Sequence, residues 1–393
     1  MPGVKAAGLI SVAGLSSRMG AFKPLLDLSG KPLICRTIES LLRGGVQQVT
    51  VVTGRNRDAI ARVVHKYPQV RLVHNADYAA TAMFDSIKLG LQQMHDMDAV
   101  VFLPADVPAV RPETVRVLLQ QWEKQKPDVL LPVYQGQPWH PPVISARLLP
   151  QLLQYNGTGG LKGALKVLGT SREHMLVPDK GCTMDADYVE DYQRLCQYWP
   201  LRDVPDTEVC QILYQLAGTP EPVQQHCEAV AQKAMELGEQ LQQNGNALEL
   251  HLLESAARLH DICRTEPSHA QAGAEFLRQY GFYRIADLVA VHMDWPEERI
   301  IQLDEAAVLY LADKLVSGNQ NIPLDQRFVE KMKKFADNPE IVTAIKRRYE
   351  IAAEILCQME QEVTKKNEKN NQYNRKYLPG LSAANCCAAR GRD

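Results

Sequence analysis

Short apolar runs rich in Val, Ile and Leu recur through the first half of the chain, at residues 9–13, 49–53, 70–74 and 99–104. Each is bounded by turn residues. Runs of that length and composition predict strands buried on both faces of a parallel sheet. Between them, residues 33–43, 58–66 and 85–94 carry apolar positions at helical spacing. The alternation predicts an α/β, Rossmann-like, doubly wound and mostly parallel sheet with helices on both faces. Ligands in such sheets sit beyond the carboxyl ends of the strands. The informative loops should therefore follow Ala13, His74 and Pro104.

The second half has a different rhythm. Val230, Ala234, Leu237 and Leu241 keep helix spacing, as do Leu252, Leu253, Ala256 and Leu259, then Ala307, Leu311 and Leu315. An all-α domain is predicted over 223–362. Residues 201–222, which hold Pro205, Pro220 and Pro222, read as a linker that closes a first domain of residues 1–200. Helical patterns at 328–336 and 341–362 suit packing or dimerisation. The Asn- and Lys-rich run after Val363 has little to bury, so 363–393 is expected to be a disordered tail. There is no internal repeat.

Composition changes this picture little. The 393 residues suit two cores. A formal net charge of -2 gives no whole-chain basic field for nucleic acid and no polybasic membrane anchor. The N-terminus lacks the pattern of a secretory signal, and no apolar run is long enough to span a bilayer. The nine Cys are scattered without metal-type spacing and read as reduced thiols of a cytoplasmic protein. Adjacent Cys386 and Cys387 read as an incidental exposed pair.

The first candidate chemistry lies in LISVAGLSSRMGAFKPLL, residues 9–26. A strand runs into Ala13 and Gly14, and Ser16, Ser17, Arg18, Gly20 and Lys23 follow. Small residues let backbone N–H groups approach phosphate oxygens, and Ser hydroxyls add donors. Arg18 can clamp a phosphate in bidentate fashion, and Lys23 adds a mobile point charge. The bland alternative is a plain turn. The segment resembles the signature of the MobA-like nucleotidyltransferases, and Ala13 before the Gly is similar to their molybdenum cofactor cytidylyltransferase branch.

Later segments extend the resemblance across residues 8–195. LPADVP at 103–108 matches the family's strand end, which implies that Asp106 holds Mg²⁺ against the nucleotide phosphates. The alternative role for Asp106 is to cap the next helix. Asn75, Met83 and Ser86 fall in a segment similar to the second nucleotide-contacting loop. His140 and Pro141 resemble the His-Pro turn near the acceptor. TMDADYVED at 183–191 is similar to the closing acidic stretch. There Asp185 assists the metal, while Asp187 and Asp191 organise the turn and cap a helix. Ala82 replaces the family's Gly before Met, Trp139 stands where Gly precedes His-Pro, and Gly157–Gly160 lacks the usual acidic residue. These departures lie toward the acceptor.

The second candidate chemistry is a set of His and Asp residues inside apolar helices. His260 and Asp261 end ARLHDIC, and Asp313 lies in YLADKL. Charged groups rarely sit on such faces without pairing or metal coordination. Imidazoles and carboxylates suit Fe, Mn, Zn or Mg. The order His226, His260-Asp261, Asp313 resembles the HD superfamily of metal-dependent phosphohydrolases over residues 223–320. His269 and His292 fall where dinuclear members, among them bacterial dinucleoside tetraphosphate hydrolases, have added ligands. The resemblance implies one or two divalent metals. It also implies that Arg264 offers a positive charge to phosphate. His251 has no place in the motif. A helical regulatory domain without metal is the bland alternative.

Together these imply transfer of CMP from CTP to the phosphate of molybdopterin, with pyrophosphate release, by a chain that also carries a phosphohydrolase or regulatory domain. The expected partners are an NTP, CTP favoured, a molybdopterin-type acceptor and a molybdenum hydroxylase apoenzyme. No nucleic acid or membrane is expected. The alternatives are a nucleotide-sensing phosphohydrolase, a non-catalytic maturation factor for such a hydroxylase, and a sugar-1-phosphate nucleotidyltransferase.

Overall fold

A computed structural model describes residues 3–12 and 22–377, with side chains left out at 363 and 365–377. Ala13, Gly14, Ser16, Ser17, Arg18 and Gly20 of the predicted phosphate loop, and the Cys386–Cys387 pair, lie outside the described residues. The chain divides into two compact units. One is Met1–Leu216 with Phe276–Phe282, and the other is Ala217–Glu275 with Tyr283–Asp393.

The first unit is built on strands β1 (Ala6–Val12), β2 (Gln48–Thr53), β3 (Val70–His74), β4 (Ala99–Phe102), β5 (Val129–Tyr134), β6 (Gln137–Pro138), β7 (Val143–Ser145) and β8 (Arg172–Leu176). They form one sheet in the order β3-β2-β1-β4-β7-β5-β6, with β8 added beside β5. The β1–β4 set is parallel, as the apolar runs predict. β7 runs antiparallel to both β4 and β5. Its helices are α1 (Leu33–Arg43), α2 (Arg57–Val64), α3 (Met83–Leu91), α4 (Pro112–Gln125), α5 (Leu149–Gln154), α6 (Gly160–Val167), α7 (Val189–Tyr198) and α8 (Thr207–Ala217).

Side chains alternate along β1, so the sheet feeds two cores. Ile10 packs with Ile34, Ile38, Ile60 and Val115 on one face. Leu9 packs with Phe84, Ile87, Leu152 and Leu165 on the other. Helix α3 lies so close to the sheet that a Cβ at Gly90 would collide with Leu9 and Val52.

The expected linker needs correction. Residues 207–217 form α8, which buries Val209, Cys210, Leu213 and Tyr214. Tyr134 Oη donates to Glu208 at 3.1 Å, and Lys180 Nζ donates to Asp206 at 2.8 Å, so α8 belongs to the first unit. The prolines that suggest a linker flank helices instead: Pro205 precedes α8, and Pro220 is the N-cap of the next helix.

The second unit contains α9 (Glu221–Gln243), α10 (Leu250–Leu259), α11 (His269–Gln279, whose last turn falls in the first unit), α12 (Tyr283–Val291), α13 (Glu305–Lys314), α14 (Leu324–Lys334) and α15 (Pro339–Tyr377). Every residue of α13 from Ala306 to Lys314 is buried, which makes it the central helix. Asp304 starts it by accepting from Ala307 N at 3.0 Å. Helix α15 continues through Tyr377, so residues 363–377 are helical where the composition predicts a disordered tail. Among the described residues, no helix is long and apolar enough to cross a membrane.

Candidate active sites

Beyond the carboxyl ends of β1 and β4 the first unit gathers acids around one lysine. Lys23 is buried in a short helical turn, and its Nζ donates to Asp187 Oδ1 at 2.7 Å. Asp106 follows β4, and its carbonyl accepts from Ala186 N at 2.9 Å, which ties the closing acidic segment to it. Burial pushes the Asp106 carboxyl up, Lys23 pulls it down, and Asp187 adds repulsion. Burial likewise raises Asp185, with Asp187, Asp106 and Asp191 each adding to it. Carboxylates that repel one another beside a single ammonium are the donor set that a divalent oxygen-loving cation such as Mg²⁺ fits.

Several sequence expectations are resolved differently. Asp187 pairs with Lys23 and does not merely order a turn. Asp191 does cap α7, through Tyr188 N at 2.8 Å. Among the described residues the Asp106 side chain caps no helix; Asp179 holds the start of α4 instead, accepting from Arg111 N at 2.9 Å and Thr114 Oγ1 at 2.6 Å, and it caps the turn at 180–183 through Gly181 N at 3.0 Å. Asn75 and Ser86, expected at the nucleotide, are both buried. Asn75 Nδ2 donates to the Thr81 and Ser86 hydroxyls, each at 2.9 Å, and its Oδ1 accepts from Asp77 N at 3.0 Å. These bonds pin the loop before α3 and leave the Asn75 amide committed within it. Met83, at the start of α3, is exposed.

The reversed strand β7 brings His140 beside β4. Phe102 N donates to Pro142 O at 3.1 Å, and the His140 ring meets the edge of Phe102 at 5.7 Å. The His140–Pro141 bond is cis. Burial lowers His140 to about 4, so it is neutral near pH 7, and its Nδ1 has no partner among the described residues. A histidine depressed on folding takes up its proton in the unfolded chain first. Its contribution to stability is therefore present above about pH 6.5 and is lost as the pH falls toward 4. His140→Phe should flatten the decline of the unfolding midpoint across that window. An unchanged slope would remove His140 as a source of that decline.

The second unit holds the six predicted ligands together. Helix ends explain the geometry. His260 follows α10 and His292 follows α12, where the last carbonyls lack helical partners. His260 Nδ1 bonds Ala257 O at 2.8 Å, and His292 Nδ1 bonds Val289 O at 2.7 Å. His226, on α9, bonds Gly318 O through Nδ1 at 2.7 Å. Each Nδ1 therefore carries the proton, and each Nε2 faces the interior as a free lone pair.

Asp261 lies between two groups. Its Oδ2 is 3.9 Å from His226 Nε2 and 3.6 Å from His260 Nε2. Its Oδ1 is 3.1 Å from His269 Nε2 and 3.3 Å from His292 Nε2. Asp313 Oδ1 joins the first group, 3.4 Å from His226 and 3.8 Å from His260. The atoms of His226, His260 and Asp261, and those of Asp261, His269 and His292, are close enough to hold an ion each. Among the described residues, His260 Nε2, His292 Nε2 and Asp261 Oδ1 are buried without a hydrogen-bond partner. Buried lone pairs left unpaired are costly, and a divalent metal satisfies them. Burial lowers His260 to about 4, which keeps it in the neutral, ligating form. Although burial opposes it, His260, His269 and His292 hold the Asp261 carboxyl below the usual range.

Cations enclose this cluster. Lys314 is buried, donating to Asp313 Oδ2 at 2.8 Å and His292 O at 2.6 Å. Asp313 is thereby left with one oxygen for the centre. Arg264 Nη1 lies 2.9 Å from His269 Nε2. Arg327 donates to the carbonyls of Asp313 and Val316. Burial, with Arg327 beside it, pushes Lys331 down to about 8. Lys314, Arg327 and Lys331 are absent from the sequence reading. A lysine beside Asp313 in an apolar helix is a legible signal; the other two come from a helix with no motif. His251 is exposed on α10, away from the ligand set.

Residues 8–174 match the MobA-like NTP transferase domain family, and residues 223–318 match the HD domain family. The chain is similar to the molybdenum cofactor cytidylyltransferase of Escherichia coli K12, 25% identical over 157 residues, covering 40% of this chain and 79% of that protein. A 2-aminoethylphosphonate cytidylyltransferase of Lancefieldella rimae is 33% identical over 88 residues, covering 21% of this chain and 36% of that protein. Among solved structures, a nucleotidyl transferase from Methanothermobacter aligns with a TM-score of 0.44 at 23% identity, covering 50% of this chain and 98% of that one. The chain joins a MobA-like NTP transferase domain to an HD domain.

Proposed function

We propose that the first unit transfers CMP from CTP to the phosphate of a molybdopterin-type acceptor, and that the second unit is a metal-dependent phosphohydrolase. The observation that carries the transferase reading is the convergence of Lys23, Asp106, Asp185 and Asp187 beyond β1 and β4. An acceptor phosphate oxygen attacks the α-phosphorus of the nucleotide in line. The bond from that phosphorus to the bridging oxygen breaks, and pyrophosphate leaves with the electron pair. Lys23, with Arg18 from the sequence motif, offsets the charge that develops on the leaving group. Asp106 and Asp185 would hold Mg²⁺, which supplies further neutralisation of the phosphates. Two cytidylyltransferase relatives with different named acceptors, together with Ala13, support the cytidine donor more strongly than the acceptor.

In the second unit, His226, His260, Asp261 and Asp313 would hold one divalent ion, and Asp261, His269 and His292 another. Bound ions of this kind supply a hydroxide from water at neutral pH. Lys314 fixes Asp313 and the His292 backbone, and Arg264 offers charge to phosphate.

The test incubates the protein with each NTP, Mg²⁺ and molybdopterin, following pyrophosphate and dinucleotide. CTP should give both. It should also raise the unfolding midpoint most, since a tenfold tighter nucleotide adds about 1.4 kcal/mol when saturating. NTPs left intact while phosphate esters are cleaved would overturn the transferase reading.

A further inference from the structure

The open side of the histidine–aspartate cluster is lined by a helix that the HD match, ending at residue 318, does not include. Helix α14 places Arg327 and Lys331 one turn apart on one face, and both line cavities shared with His226, Asp261 and Arg264. Like charges at that spacing repel each other, so the helix alone does not account for the pair. Arg327 is committed to the carbonyls of Asp313 and Val316, and Lys314 to Asp313 and His292. Lys331 is different. Among the described residues its side-chain ammonium has no hydrogen bond or ion pair, although it reaches the cavity.

Charge bookkeeping points to the ligand. Asp261 and Asp313 face Arg264, Lys314, Arg327 and Lys331, so cations outnumber carboxylates before any metal binds. Divalent ions enlarge the excess. A singly charged phosphodiester would leave it largely uncompensated, whereas two adjacent phosphoryl groups would offset more of it.

We propose that Lys331, together with Arg264, seats the second phosphoryl group of a substrate carrying two adjacent phosphates, while the first lies against the metal ligands. The proposal rests on the phosphohydrolase reading of this unit. Lys331 suits the role because its ammonium is a compact point charge on a flexible stem that can follow a rotating phosphoryl group.

The experiment uses the full chain loaded with Mn²⁺ and titrates inorganic phosphate and imidodiphosphate calorimetrically. The transferase unit can bind the same probes, so the relevant binding is the part lost in His226→Ala, a variant at a half-buried position. Wild type should bind imidodiphosphate about tenfold or more tightly than phosphate. Lys331→Gln should bring the two affinities together, with Mn²⁺ content and phosphate binding unchanged, and Lys331→Arg should restore the preference. A preference that survives in Lys331→Gln overturns the proposal alone. Absence of any His226-dependent phosphate binding in a metal-loaded chain overturns the phosphohydrolase reading, and the proposal with it.

Discussion

Asp106→Ala is expected to reduce pyrophosphate release by about 10²–10³-fold or more, the scale of losing a principal electrostatic group at a phosphoryl-transfer centre. The same substitution should raise the unfolding midpoint of the first unit. Burial lifts the Asp106 carboxyl above its ordinary range, so its charge costs more in the folded state than in the unfolded chain. Removing it relieves that strain along with its repulsion from Asp187. Activity and stability should therefore move in opposite directions, the mark of a group kept for chemistry. Single-turnover pyrophosphate assays and thermal unfolding measure both. Full activity in the variant would remove Asp106 from the reaction, and a marked fall in the midpoint would mean that it serves the fold.

Asp261→Ala should empty both metal positions, because each of its oxygens faces a different ligand group. His226→Ala and His269→Ala should each remove one ion, leaving the other. Elemental analysis after equilibration with a limiting divalent metal distinguishes the three variants. Asp261→Ala retaining one tightly held ion would break the bridging assignment. Equal losses in His226→Ala and His269→Ala down to zero would mean one shared position in place of two. Lost ligation should also abolish any phosphate ester hydrolysis by this unit, since no remaining group replaces the function of the bound ion.

Much of this arrangement is written locally in the chain. Strands β2 and β4 are apolar runs because both faces are covered, whereas β3, at the sheet edge, has no fully buried residue; α1 spans the residues that its periodicity predicts. Among the six candidate ligands, Asp313 stands out as a charge inside an apolar helix and His260-Asp261 as polar groups at the end of one, while His226, His269 and His292 are legible only through the order of the motif. What escapes is non-local. The Lys23–Asp187 pair joins residues 164 apart, with no nearby signal in either segment. Asn75 and Ser86 have the residue types of a nucleotide loop, and the hydrogen bond between them shows only in the packed loop. The prolines at 205 and 220 are read as breaks because Pro disfavours helix interiors. The same property makes them good helix starters. Arg327 and Lys331 lie in a stretch that matches no motif, and only the turn of α14 toward the cluster gives them meaning.

Strand β7 leaves a last mark on the first unit. Because it runs against β4, the polypeptide reaches the carboxyl edge of the parallel strands by two independent routes. The forward route, through β1 and β4, delivers Lys23 and Asp106. The return route, residues 135–142, delivers Trp139 and His140 from the opposite direction. Changes of sequence or length in the returning loop can thus reshape what is admitted there without shifting the register of the parallel strands. Divergence in the choice of molecule to be modified should accumulate in that loop, while the machinery for activating the donor stays fixed.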